Sequence, residues 1–289
     1  SSTTPLSGFN RAAYSETPAT VLPDQENFIR FFVKVRAVDR AGNAGKFPPA
    51  VEAVALPVAG LYQLPQPGPL LGGTILGKVL LVAEKNPYTA GAGIIVGPGA
   101  TVYIDPGVEL LFAPGAALTI AGGELLAYGQ KDRPITFGPK ATGAQPGAWQ
   151  GLVLKGAGRV RLKHIAIVKA ETGLTVSNCA PEIRAGNILQ SAQAGMLLMD
   201  NARPDVSCSV FSGNQGQGAL VMEGAGLGPM IHNNIFEDNE PFHVQSYAPL
   251  QVDLTGNYWG SASPAEALFL GNILWKPALS ERPAACAVH

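Results

Sequence analysis

Pro181-Glu182-Ile183, Pro204-Asp205-Val206 and Pro229-Met230-Ile231 open three successive stretches of residues 172–262, and their recurrence decides the fold. Other positions return at nearly the same interval. Ile188, Val210, Ile235 and Tyr258 are separated by 22, 25 and 23 residues, and Val176, Leu198, Val221 and Val244 by 22, 23 and 23. Asn187, Ser209, Asn234 and Asn257 form another register, and Phe211, Phe236 and Trp259 a further one with Leu189 before them. A period this short, carried by β-branched residues, glycines and turn asparagines, predicts a solenoid whose coils bury their apolar faces only by stacking. The asparagines are expected to satisfy one another and the turn backbone. The aromatic column is expected to pack as core.

Upstream, Pro98-Gly99-Ala100 and Pro114-Gly115-Ala116 are copies of one turn, each leading into a strand, 101–104 and 117–120. Further short strands read at 109–112, 124–127, 135–137, 152–154 and 160–162, with residues 138–148 as a small-residue loop projecting from a coil. The boundaries place the solenoid at 72–260, a Pro-rich linker at 59–71 and a C-terminal cap and tail at 261–289. A cap is needed to cover the last coil and its open strand edge.

Residues 1–58 differ. Phe31 to Val38 alternates basic with apolar side chains, Asp39 to Gly45 reads as a hairpin turn, and Val51 to Ala55 is a second strand. The pattern resembles the last two strands of a fibronectin type III domain. A full sandwich of that kind needs about seven strands, so the expectation is a C-terminal piece of a longer polypeptide. The alternatives are a partner that supplies the missing strands and a hairpin packed on the solenoid as its cap.

Composition limits the function classes. Apolar residues make up 46% and charged residues 14%, with 35 glycines and 24 prolines, which favours a large β core over helices or disorder. The net charge of −1 comes without a basic stripe, so no nucleic-acid partner is expected. No apolar run approaches the ~18 residues of a membrane span. Of the three cysteines, at least one is unpaired within the chain. A Cys179–Cys208 bond looks geometrically poor, and buried, unreacted cysteine is the plainer expectation.

Gly99-Ala-Thr-Val-Tyr-Ile-Asp-Pro-Gly, Arg133-Pro-Ile-Thr-Phe, Trp149-Gln-Gly-Leu-Val-Leu, Asn233-Asn-Ile-Phe-Glu-Asp-Asn and Gly256-Asn-Tyr-Trp-Gly resemble the right-handed parallel β-helix, pectin-lyase-like superfamily. The resemblance implies an all-β fold, a right-handed parallel β-helix solenoid with a small N-terminal β-sandwich-like segment, of roughly seven to nine coils. It also implies export. The catalytic signatures of that superfamily's polygalacturonases, pectate lyases and pectin methylesterases do not occur in matching coils.

Coils stack about 4.8 Å apart, so residues distant in sequence can share a column. Matching coils puts Asn178, Asp200, Glu223 and Ser246 in one column with His243 nearby. Two carboxylates so placed could hold Ca²⁺, share a proton, or act as the acid/base pair of a glycoside hydrolase. The plainer reading is a solvated corner. Asp205 is expected beside Glu182 and Met230. His164, His232, His243 and His289 fall in different columns, against a histidine metal site. Trp149, at the edge of the 138–148 loop, is the candidate exposed contact.

The expected function is an exported bacterial cell-surface or extracellular protein, non-catalytic, acting in adhesion, glycan or partner binding, or as a structural component of an assembly. Its ligand-binding candidates are Trp149, Asp200, Glu223 and His243, and its partner a polysaccharide or protein on the solenoid face. The alternative is a polysaccharide lyase or glycoside hydrolase on an acidic polysaccharide, with Asp200 and Glu223 as its catalytic pair.

Overall fold

Backbone pairing runs through the computed structural model from Leu71 onward in parallel ribbons. The structure describes residues 71–283, the segments 30–33 and 51–54, and residues 41, 43, 45 and 46. The chain divides into two compact units, Ser1–Leu61 and Tyr62–His289. In the first, Arg30–Val33 pairs antiparallel with Val51–Val54, with Phe31 opposite Ala53. The expected turn at 39–45 lies largely outside the described residues. The remainder of the expected strands and the linker at 59–70 lie outside the described residues, and a two-stranded hairpin alone does not show a fibronectin-like module.

The second unit is a parallel β-solenoid of about nine turns, almost without helix. Its first ribbon stacks Lys78–Leu81, Thr101–Ile104, Glu124–Tyr128, Val160–Lys163, Glu182–Arg184, Asp205–Ser207 and Met230–His232. A second ribbon stacks Glu109–Phe112, Ile135–Pro139, Ile165–Val168, Asn187–Leu189, Val210–Ser212 and Ile235–Glu237. A third stacks Leu71–Ile75, Ala117–Ala121, Gly151–Lys155, Thr172–Ser177, Ala194–Met199, Leu220–Met222, Val244–Ser246 and Phe269–Leu270. The long strand Tyr88–Val96 joins the second and third, pairing with Glu109–Phe112 through its start and Ala117–Ala121 through its end.

Alternation along each strand sends one face inward. Ile183, Val206 and Ile231 stack in the core of the first ribbon, while Glu182, Asp205 and Met230 point out of it. Corners between ribbons are made by single left-handed residues: His164, Ala185, Cys208 and Asn233 after the first ribbon, Lys169, Gln190 and Asp238 after the second. One such residue redirects the chain without a loop. At Gly151 (φ 116°) a Cβ would lie 1.8 Å from the Thr172 carbonyl oxygen, so only glycine lets the two windings approach.

Two internal polar ladders tie the corners together. Ser209 N–H donates to Asn234 Oδ1 (2.9 Å), and Asn234 N–H and Nδ2 both donate to Asn257 Oδ1 (3.0 Å each). The second, not read from the sequence, runs through Ser191, Asn214 and Asn239. Ser191 N–H donates to Asn214 Oδ1 and Asn214 N–H to Asn239 Oδ1, each 3.1 Å. Beside them Phe211, Phe236 and Trp259 form the expected core stack, at 4.7 and 4.5 Å between ring centroids.

Four column assignments are corrected. Ile188 lies opposite Phe211, and it is Asn187 that lies opposite Val210, so Ile188 and not Leu189 begins the aromatic column. Asn187 is likewise outside the asparagine ladder, where Gly186 N–H meets Ser209 Oγ. Val176 does stack on Leu198, but Leu198 stacks on Met222 and Val244 on Leu220. The cause is coil length. Residues 200–204 make a corner one residue longer than 178–181, which shifts the Ile188 and Asn187 partners, and the corner 213–219 is one residue longer than 190–195, which shifts the partners of Leu198; each one-place slip exchanges the inward and outward faces. Apolar residues on both faces hide such a slip from a pattern search.

The expected irregular cap continues the solenoid. Phe269–Leu270 pairs with Val244–Gln245, Ile273–Leu274 pairs with Val252–Asp253, and Leu279 N–H donates to the Asn257 carbonyl. Phe269 meets Trp259 edge-on at 5.0 Å and stacks on Trp275 at 4.3 Å. Cys179 is a free, half-buried thiol, whereas Cys208 is disulfide-bonded, which corrects the expectation of unreacted cysteine at that position.

Candidate functional site

The sequence-predicted site residues are not brought together. Asp200 is exposed and stacks over Asn178, whose N–H donates to the Asp200 carbonyl at 2.8 Å. It is Gly224 that lies against Asp200, a Cβ there falling 2.6 Å from Asp200 Oδ1. Glu223 follows Met222, which pairs with Leu198, so Glu223 lines up with Met199 instead. Ser246 faces Met222. The proposed four-residue column therefore dissolves after its first pair, again through the longer corner at 213–219.

Trp149 is fully buried, not an exposed contact: it stacks on Phe112 at 4.3 Å and its Nε1 donates to the Val168 carbonyl at 2.8 Å. It follows the loop 140–148, whose residues are exposed or half-buried. His243 is buried at the corner leading into Val244, away from Asp200. His164 sits at the corner after Lys163, whereas His232 stacks in line with Lys163, Arg184 and Ser207.

Asp205 does sit between Glu182 and Met230, as expected. It is engaged: Arg184 grips both carboxylate oxygens, Nη1 to Oδ1 at 2.8 Å and Nη2 to Oδ2 at 2.5 Å. The guanidinium holds the Asp205 carboxyl below the usual carboxylate range. Glu182 bridges Arg161 and Arg184 at 3.5 and 3.6 Å. This outward ladder neutralises itself, which makes it a clamp between windings more than a ligand face.

A more open polar face lies on the corner between the second and third ribbons. Gln193 N–H donates to the Glu171 carbonyl and Gln217 N–H to the Gln193 carbonyl, each at 2.7 Å, while Gln150 Nε2 donates to Glu171 Oε2 at 2.5 Å. Gln150, Glu171, Gln193 and Gln217 thus form one column, with Gln150 and Gln193 exposed. It adjoins a shallow open depression of about 610 Å³ lined by Gln215, Gly216, Glu240 and Pro241. The sequence carried a signal for this column, the 22- and 24-residue steps from Glu171 to Gln193 to Gln217, but polar repeats are weaker markers than apolar ones.

Residues 138–273 match the family described as NosD, periplasmic copper-binding protein. No curated protein and no solved structure matches the chain. The matched stretch is that of the regular coils. Copper is held by thiolate, thioether and imidazole donors. Among the described residues no group of three or more His, Cys, Asp or Glu assembles. Burial pushes the Cys179 thiol up, away from thiolate, and Met196 and Met222 are core side chains. Of the other methionines Met230 is exposed on the strand that carries His232, so the described residues offer scattered donors and no three-residue His, Cys, Asp or Glu site. Among them no helix is long and apolar enough to cross a membrane. The chain is similar to the NosD family over its coils.

Proposed function

We propose that this chain is an exported, non-catalytic β-solenoid that binds a hydroxyl-rich, neutral glycan along the corner between its second and third ribbons. The observation that carries this reading is the column Gln150, Glu171, Gln193, Gln217. Side chains there repeat at the inter-strand rise of about 4.8 Å, and each offers donors or acceptors to successive hydroxyls of a chain laid along the axis. Amides and carboxylates favour a neutral sugar over an acidic one. The match to a periplasmic family supports export.

The test is binding of neutral and uronic-acid oligosaccharides by calorimetry, with product analysis for turnover. The expected result is saturable binding of a neutral glycan, at least tenfold weaker in a Gln193→Ala/Gln217→Ala variant of unchanged Tm, and no cleavage. Cleavage abolished by Asp200→Asn or Glu223→Gln would establish the enzyme instead.

A further inference from the structure

We propose that His243 is a proton-sensitive latch on the C-terminal end of the solenoid: it is held neutral between Trp259 and Phe269, and its protonation releases the last winding. His243 is 5% and Trp259 1% exposed, with ring centroids 6.1 Å apart. Neither His243 Nδ1 nor Trp259 Nε1 has a hydrogen-bond partner among the described residues. The Trp259 backbone draws a ring proton toward it and favours the protonated imidazole, and with Nδ1 unpartnered the nitrogen so drawn is Nε2. The neutral ring then carries its proton on Nε2 and leaves Nδ1 a bare acceptor, whereas the indole N–H is only a donor. One buried corner thus holds an open acceptor on the imidazole and an open donor on the indole.

Protonation destroys that complementarity. Nδ1 becomes a second donor beside the indole N–H, and a charge is created where burial disfavours it. The charged groups around the corner are few. Asp238, on the same corner, favours the protonated form; burial outweighs it and holds the imidazole below its ordinary range. Of the others, Glu237 is paired with Arg282, Glu266 with Lys276 at 3.0 Å, and Glu240 is exposed.

The last winding hangs on this corner. His243 N–H donates to the Leu268 carbonyl at 2.9 Å, and Phe269 packs edge-on against the imidazole at 6.2 Å while stacking on Trp275. Because the folded imidazole titrates below the unfolded one, acid takes stability away from about pH 6.5 downward until the folded ring also titrates.

The experiment follows tryptophan emission and the histidine NMR signals of the full chain between pH 8 and 4. The expected result is a His243 midpoint below that of an exposed histidine, accompanied by a red shift of emission that is lost in His243→Phe. His243→Gln, which keeps a neutral donor and acceptor, should also lose the shift and serves if the Phe variant fails to fold. An emission step that persists in both variants, or a His243 midpoint at or above the ordinary value, overturns the proposal.

Discussion

Asn257 Oδ1 accepts two hydrogen bonds from Asn234 in the preceding winding, one from its backbone N–H and one from its Nδ2, both at 3.0 Å. The relation repeats one winding earlier, where Asn234 Oδ1 accepts from Ser209 N–H. Each amide therefore answers a backbone group of one neighbour and is answered by the next, inside a corner that water does not reach. A solenoid corner otherwise leaves such groups unpaired, and each unpaired group costs about 1–3 kcal/mol.

Asn234→Ala removes the acceptor for Ser209 N–H and the donor to the Val206 carbonyl. A loss of about 3 kcal/mol is expected, read as a lower urea midpoint. Asn187→Ala, on the outward face opposite Val210, should cost under about 1 kcal/mol. Equal losses at the two positions would contradict the register.

Gly151→Ala should abolish cooperative unfolding or reduce stability by several kcal/mol on the scale of overpacked cores, since its Cβ would overlap the Thr172 carbonyl. Gly143→Ala, at a left-handed φ (72°, against 116° at Gly151) and with open space around it, should cost only about 1 kcal/mol. Thermal melts of the two variants should differ accordingly, and equal losses would contradict the close approach at Gly151.

Asp105 provides a pH-dependent test at the other end of the solenoid. Burial, together with Glu84, raises its carboxyl to about 6 against the opposing pull of Arg133, and its Oδ1 is buried without a partner among the described residues. The folded state therefore holds this proton more tightly than the unfolded one. Its contribution is complete below about pH 4 and is lost as pH rises through about 6. After allowing for partial exposure the change is on the order of 2 kcal/mol. Asp105→Asn should be more stable than the parent at pH 7 and gain nothing at pH 4, a difference that paired denaturation curves would show.

The strands from 101 to 162 were legible in the sequence, Thr101–Ile104, Glu109–Phe112 and Ala117–Ala121 among them, whereas Leu71–Ile75, Lys78–Leu81, Tyr88–Val96 and Ile165–Val168 were not read. The stack of Phe211, Phe236 and Trp259 was legible too, because large aromatic residues at a fixed interval have few places to go. The candidate site was not legible in the same way. Asp200 and Glu223 seemed aligned by counting, yet the longer corner 213–219 displaced Glu223 by one place. Trp149 read as a loop contact, and only its stacking against Phe112 made it core.

The sequence by itself determined that this chain winds, since short apolar repeats with turn residues have no other way to bury their faces. Tertiary structure decided which residues meet. A column is set by the summed lengths of all strands and corners in a winding, so one added residue in a corner changes every partner beyond it. The amide ladders, the Gln193 column and the buried pairing of His243 with Trp259 exist only once those lengths are fixed in three dimensions.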